Sequence, residues 1–251
     1  MTDATATNLR ENAKRRYQPS IVDTDWLVLK DLRKAIENIA DEVVKPGMKV
    51  IDFGCGNEPY RQVFEKLGAR YLGADYGTGH DLAISASGRV DVPGNTADVV
   101  LSVQVLEHVR DLDVYLGEAR RLLKPDGQLI LSTHGTWLYH PHPEDHRRWT
   151  RQGLLTDLEM RGFEVVDCVP IIGPLAWTLM VRLTSFAYVL RKLPIVGPLL
   201  AGCAAVFYNV RAILEDKITP DWVRSNNACV YAVRARLLPN TAKGSQESTN
   251  P

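Results

Sequence analysis

Apolar and polar positions along the chain fall into two periods. Between Asp23 and Val44, the residues Leu29, Leu32, Ile36, Ile39 and Val43 recur at helical spacing. That pattern predicts an amphipathic helix capped by Asp23 or Thr24 and ended by Pro46-Gly47. Strands follow at Met48–Ile51 and Ala69–Asp75, and the apolar runs at Leu101 and Leu129–Leu131 mark two more. Runs that are apolar on both faces predict buried strands of a parallel sheet. Helical stretches lie between them: one from about Pro59 to Leu67, closed by Gly68, and one from Thr150 as its cap to Met160. Leu82-Ala83-Ile84 is the one short strand expected in the long loop Gly77–Thr96, and Glu164–Cys168 and Cys229–Arg236 complete the set. Strands alternating with helices predict an α/β fold with helices on both faces of the sheet.

A segment of about 55 residues before the last strand breaks this rhythm. From Val169 through Leu214 there is no Asp or Glu, while Arg182, Arg191, Lys192 and Arg211 are basic. Leu193–Val210 carries no charge at all. As one straight helix it would be about 27 Å long, just short of a hydrocarbon core of about 30 Å. Pro194, Gly197, Pro198 and Gly202 argue against one straight rod and for a hairpin or shallow insertion. The segment is therefore expected to be a peripheral docking element for an anionic membrane surface, or else a helical cap or homodimer interface. The chain divides into an arm and cap helix (1–44), a core (45–170), the helical insertion (171–225), a last strand (226–237) and a polar, disordered tail (238–251).

Thirty basic and thirty acidic residues cancel, which gives no general attraction to nucleic acid. Cys55, Cys168, Cys203 and Cys229 lie far apart without metal-type spacing, as in a reduced, cytoplasmic protein. The first twenty residues lack the apolar core of a secretory signal.

The chemistry is concentrated where Asp52-Phe53-Gly54-Cys55-Gly56-Asn57 closes the first strand and Asp75 ends the second. Strand, Gly-x-Gly turn, helix, strand and acid is how an open α/β sheet builds a nucleoside pocket: the glycines admit a close ligand, and the acid accepts from a ribose diol. Pro59 stands where a dinucleotide fingerprint has its third glycine, which disfavours a nicotinamide-dependent oxidoreductase.

The glycine turn resembles the first motif of the class I S-adenosylmethionine-dependent methyltransferases. Asp98–Val109 resembles their fourth strand and the helix after it, and Glu118–Leu131, with Lys124-Pro125-Asp126-Gly127, resembles their helix, Lys-Pro-x-Gly and fifth strand. The likeness covers roughly residues 45 to 168. It implies a Rossmann-like sheet and S-adenosylmethionine as cofactor. The contacts carried over are Asp52 for the loop or amino group, Gly54 and Gly56 for the methionine part, Asp75 for the ribose and Tyr76 for the adenine. Ser102, Val103 and Gln104 would line the pocket beside them. Ser102-Val103-Gln104-Val105 lacks the Asn/Asp-Pro-Pro-Tyr/Phe of nucleic-acid methyltransferases.

His134–Thr150 would overhang the acceptor side, and four of the six histidines fall in it. Imidazole has the intrinsic pKa for taking a proton from a hydroxyl, which makes His134 and His146 the candidate bases. Glu107 and His108 are expected to be structural. Metal binding by His140, His142 and His146 is the weaker reading, because no thiol is near and prolines fix the loop; no metal is expected. Pro143-x-Asp145-x-x-Arg148-Trp149-Thr150 resembles a stretch of glycan-cluster methyltransferases, with an architectural role. The acceptor expected is a small molecule, sugar or lipid-linked glycan methylated on oxygen. A non-catalytic partner subunit is the alternative.

Overall fold

The computed structural model describes residues 13–239. A seven-stranded sheet runs through the molecule in the order β3-β2-β1-β4-β5-β7-β6. Its strands are β1 (Lys49–Phe53), β2 (Arg70–Asp75), β3 (Leu82–Ala83), β4 (Ala97–Val103), β5 (Leu123–His134), β6 (Phe163–Ile171) and β7 (Val230–Leu237). The first five are parallel, whereas β7 runs antiparallel between β5 and β6. The strand order reverses between β1 and β4, so their carboxyl ends diverge into the crevice where open α/β sheets bind ligands.

Both faces are covered, which explains why the strands lack alternation. Val50, Val99, Leu101 and Ile130 face one apolar core, packed by α1 (Trp26–Val43), α2 (Arg61–Lys66), α5 (Pro174–Leu190) and α6 (Gly197–Ile218). Ile51, Phe53, Val100 and Leu131 face the other, under α3 (Leu112–Leu122) and α4 (Arg151–Met160). A short α7 (Asp221–Asn226) returns the chain to β7.

Several boundaries differ from the sequence expectation. Helix α1 starts at Trp26 behind Asp25, and no side chain caps it; the Asp23 carboxylate instead accepts from the Ser20 amide at 2.8 Å. Residues 13–17 form a helical turn whose Tyr17 is buried in the core, so this part of the expected arm is packed. Residues 1–12 and 240–251, the rest of the expected arm and most of the expected disordered tail, lie outside the described residues. Leu106-Glu107-His108 is a 3₁₀ turn, and the true helix begins at Leu112, capped by Asp111 accepting from the amides of Asp113 and Val114. Thr150 does cap α4, through the Gly153 amide at 3.1 Å.

The insertion is a helical hairpin. Pro194 lies in its turn, but Gly197 and Pro198 open α6 and Gly202 leaves it unbroken for 22 residues. Proline in a first helical turn removes an amide that has no partner anyway, so it does not break the helix as expected. Asn209, wholly buried, donates to the carbonyls of Ile21 and Asp23, and Asp216 accepts from the Gly173 amide at 2.6 Å. These bonds hold α6 flat against the core. Its packing is inverted relative to an ordinary amphipathic helix. Ala201, Ala205 and Ala212 point inward, while Leu199, Phe207, Val210 and Leu214 point out.

Candidate active site

The glycine turn is built by two clamps from β2. The amides of Gly54 and Cys55 donate to the Ala74 carbonyl at 2.9 and 3.1 Å. Asp75 then accepts from the Gly56 amide through Oδ2 and from the Tyr76 amide through Oδ1, both at 2.7 Å. Gly54 has φ +86°, and an added Cβ would come within 2.7 Å of Val105. The glycine is therefore required by the loop after β4, not, as the sequence suggested, by ligand space alone. Gly56, at φ +51°, has nothing within 4 Å of where a Cβ would be, so its face opens on free space beside Asp75. A carboxylate anchored through two amides beside an open glycine is a fit receptor for a ribose diol. The Tyr76 side chain is largely exposed at the rim.

Asp52 lies beneath this turn, 3% exposed, with its carboxylate accepting from the Tyr71 hydroxyl. Burial pushes its pKa up to about 7, against the lowering effects of Tyr71 and Arg16. The carboxyl therefore keeps a proton that the unfolded chain releases near pH 4, and its contribution to stability falls as pH rises from about 4 to 7. A shift of about three units corresponds to roughly 4 kcal/mol at most. Asp52→Asn should flatten that part of the slope, read by urea unfolding at pH 5 and pH 8. Parallel slopes for the two proteins would show that the carboxyl is ionised throughout.

At the end of β4 the three expected lining residues separate. Ser102 is fully buried, and its hydroxyl meets the Tyr115 hydroxyl at 2.8 Å. Tyr115 in turn donates to the Phe53 carbonyl and stacks on the Phe53 ring at 4.3 Å. Ser102 thus ties β4 to α3, and Tyr115 carries the link on to β1. Val103 is also buried. Gln104, directly after β4, is partly exposed. Its φ of +57° is a strained, left-handed backbone of a kind that costs about 1–3 kcal/mol and gathers at functional sites. Its amide and side-chain nitrogen both hold Ser132, at 3.2 and 3.1 Å.

Beyond β5 the chain folds back over these strand ends. The Trp149 amide donates to the His134 carbonyl at 3.0 Å, and the His146 amide to the Glu107 carbonyl at 2.9 Å. Arg148 holds both oxygens of Asp145, at 2.6 and 2.8 Å, and this contact keeps the Asp145 carboxyl well below the usual carboxylate range. Trp149 is buried, and its ring nitrogen donates to Asp157 at 2.9 Å. This part of the loop is therefore a lock.

Beneath it, His134 is buried with Nδ1 2.8 Å from Glu107 Oε1. Glu107 is fully enclosed, and its other oxygen accepts from Thr133 at 2.9 Å. Burial works to raise the Glu107 pKa, but the His134 contact prevails and holds it below the usual value. The two expected bases therefore part. His134 stands in the cluster, stacked on Trp137 and edge-on to His140, whereas the His146 ring turns to Glu144 at 3.0 Å. The trio considered for metal, His140, His142 and His146, does not converge either; Glu107, His134 and His140 do. Glu107, expected to be structural, is the partner that sequence reading passed over, because its 3₁₀ turn and β5 are distant in the chain.

Three surface depressions lie elsewhere: between α4 and β6, along α6, and between α3 and β7. None of these three contains the glycine turn or Asp75, so chemistry and not hollow size locates the site.

A methyltransferase-domain profile matches residues 27–167, more than half of the chain. The chain belongs to the methyltransferase-domain family. Its cofactor is S-adenosylmethionine, and its sheet is the Rossmann-like class I methyltransferase fold. A ubiquinone biosynthesis O-methyltransferase of Cereibacter sphaeroides is 33% identical over 102 residues, 35% of this chain and 41% of the relative. One from Bartonella bacilliformis is 27% identical over 107 residues, 36% of this chain and 43% of the relative. The matched stretch spans less than half the length of these curated relatives. Among solved structures, a putative methyltransferase from Bacillus halodurans aligns with TM-score 0.52 and 16% identity, covering 82% of this chain and 98% of its own. Mycolic acid cyclopropane synthase CmaA1, solved with SAH and CTAB, aligns with TM-score 0.51 and 14% identity over 91% and 94%. At such identities the structures speak for the fold alone.

Proposed function

We propose that this chain transfers a methyl group from S-adenosylmethionine to an oxygen of a small or lipid-linked hydroxyl acceptor. The observation that carries the reading is the buried Glu107–His134 pair at the carboxyl ends of β4 and β5, beside Gln104 and under the histidine loop. Bound S-adenosylmethionine supplies a methyl that is already electrophilic on its sulfonium. The chain must then hold it, align an oxygen behind it and dispose of one proton. Asp75 and the Gly54–Gly56 turn do the holding, Asp52 supports the turn from below, Tyr76 covers the adenine side, and Gln104 bounds the acceptor space. The hydroxyl proton leaves toward His134, and Glu107 orients the ring and steadies its positive charge. The relatives named O-methyltransferases support oxygen as the acceptor atom. A non-catalytic partner subunit is the second reading; the intact Asp75–Gly56 clamp speaks against it.

The lipid-linked source is supported by the inverted packing of the hairpin. Phe186, Tyr188, Ile195, Leu199, Phe207 and Leu214 are all more than half exposed. Among the described residues, α6 is the one helix long and apolar enough to cross a membrane, with mean hydropathy 1.4. Its bonds to the core from Asn209 and Asp216 favour lying on a surface over spanning it. Arg182, Arg191 and Lys192 would meet anionic headgroups, each contributing about 1 kcal/mol near a charged leaflet; Arg211 is already paired with Glu215 at 2.6 Å.

Two measurements test the reading. Methyl release should follow addition of detergent-solubilised lipid-linked glycans or soluble sugars, whereas a chain that binds the cofactor and methylates neither would favour the partner-subunit reading. Vesicles containing anionic lipid should carry the protein upward in flotation, and changing Arg182, Arg191 and Lys192 to Gln should release it. A protein that stays behind as a stable dimer would make the hairpin an interface between copies.

A further inference from the structure

Two buried atoms under the histidine loop face each other without a hydrogen bond. Glu107 Oε1 and His134 Nδ1 are 2.8 Å apart, yet their approach is out of line with the ring N–H, and neither finds another partner. A buried polar atom left so costs about 1–3 kcal/mol. His140 completes the group: one ligand atom from each of Glu107, His134 and His140 lies within 4.8 Å of the others. The rings of His134 and His140 stand nearly perpendicular, at 78°, with centroids 4.7 Å apart.

We propose that Glu107, His134 and His140 bind one divalent transition-metal ion of the zinc type beside the acceptor pocket. Nitrogen and oxygen ligands about 2.0–2.2 Å from such an ion stand roughly 3–4 Å from one another, so the cluster, whose ligand atoms lie within 4.8 Å, closes by at most about 1–2 Å. A shared ion also satisfies both orphaned atoms. The surroundings orient the ligands. Thr133 occupies Glu107 Oε2 and leaves Oε1 for the ion. His140 Nδ1 is flanked by the Leu138 carbonyl at 3.2 Å, Arg148 Nη2 at 3.3 Å and Asp145 Oδ2 at 3.5 Å, and the opposite nitrogen, Nε2, is the one proposed to ligate. A carboxylate behind a ligating histidine, itself fixed by Arg148, is the arrangement that holds a ring in place for a metal.

With three protein ligands the ion keeps an open position. Resting on the methyl-transfer reading, an acceptor hydroxyl bound there breaks its O–H bond, and the proton passes to water. The oxygen's electron pair then forms the C–O bond as the C–S bond breaks and its pair returns to sulfur.

Cobalt(II) is the probe. The full chain, stripped with chelator, should bind one Co²⁺ with visible ligand-field bands, and Zn²⁺ should displace it. Glu107→Gln and His140→Asn should each weaken binding by more than the roughly 10–100-fold that loss of an outer-shell partner costs. His140 sits in a half-buried loop, so its variant tests the site even if the Glu107 variant folds poorly. Cys55→Ser is the control for the other possible cluster, Cys55, Glu58 and His80, and should bind Co²⁺ as before. Absence of saturable Co²⁺ binding, or binding that survives both variants, overturns the site. Turnover is not the readout, so a failed titration alongside intact methyl transfer removes the metal and leaves the proposed function standing.

Discussion

Asp75→Ala is expected to weaken S-adenosylmethionine binding at least about tenfold, the scale of losing charge-assisted hydrogen bonds of about 1.5–3 kcal/mol. The carboxylate has two tasks that one substitution removes together. It offers acceptor capacity to the ribose, and it holds the Gly56 amide at 2.7 Å so that the glycine turn keeps its shape. Asp75→Asn separates them. The amide oxygen can still accept from Gly56, so an affinity between those of wild type and the Ala variant would assign part of the effect to the turn. Unchanged affinity of the Ala variant in calorimetry would remove Asp75 from the cofactor site.

His134→Asn should leave cofactor affinity intact and lower turnover about 10²–10⁴-fold, the usual contribution of a positioned proton acceptor. The same loss is expected whether the ring takes the proton itself or holds an ion that acidifies the hydroxyl, because either route passes through its contact with Glu107. His146→Asn should change turnover little, since its ring faces Glu144 at the surface. A His134 variant of near-normal turnover would mean that the acceptor arrives already nucleophilic and that alignment alone carries the reaction.

Much of the fold was legible because the sheet is buried on both sides. Continuous apolar runs such as Val99–Leu101 and Leu129–Leu131 have few other places to go. The glycine turn was legible for a related reason: a Gly-x-Gly between a strand and a helix, with Asp75 at the next strand end, carries its geometry in local sequence. Asp111 shows the limit. It caps α3, but the preceding Leu106–His108 turn mimics a helix start in sequence, and only packing against β5 and the histidine loop separates the two.

The sequence by itself determined the α/β order, the methyltransferase likeness, the cofactor and the Asp52–Gly56 and Asp75 neighbourhood, since each depends on residues within one strand–turn–helix unit. Only the tertiary structure decided which side chains meet across that unit. It turned Ser102 toward Tyr115, separated His146 from His134 and joined Glu107 to a ring far along the chain. It also turned the alanines of α6 inward and its large apolar residues outward, a choice that composition leaves open because both faces of that helix are apolar. Side chains of one strand end are paired by sheet order and loop return, and those contacts have no local pattern to read.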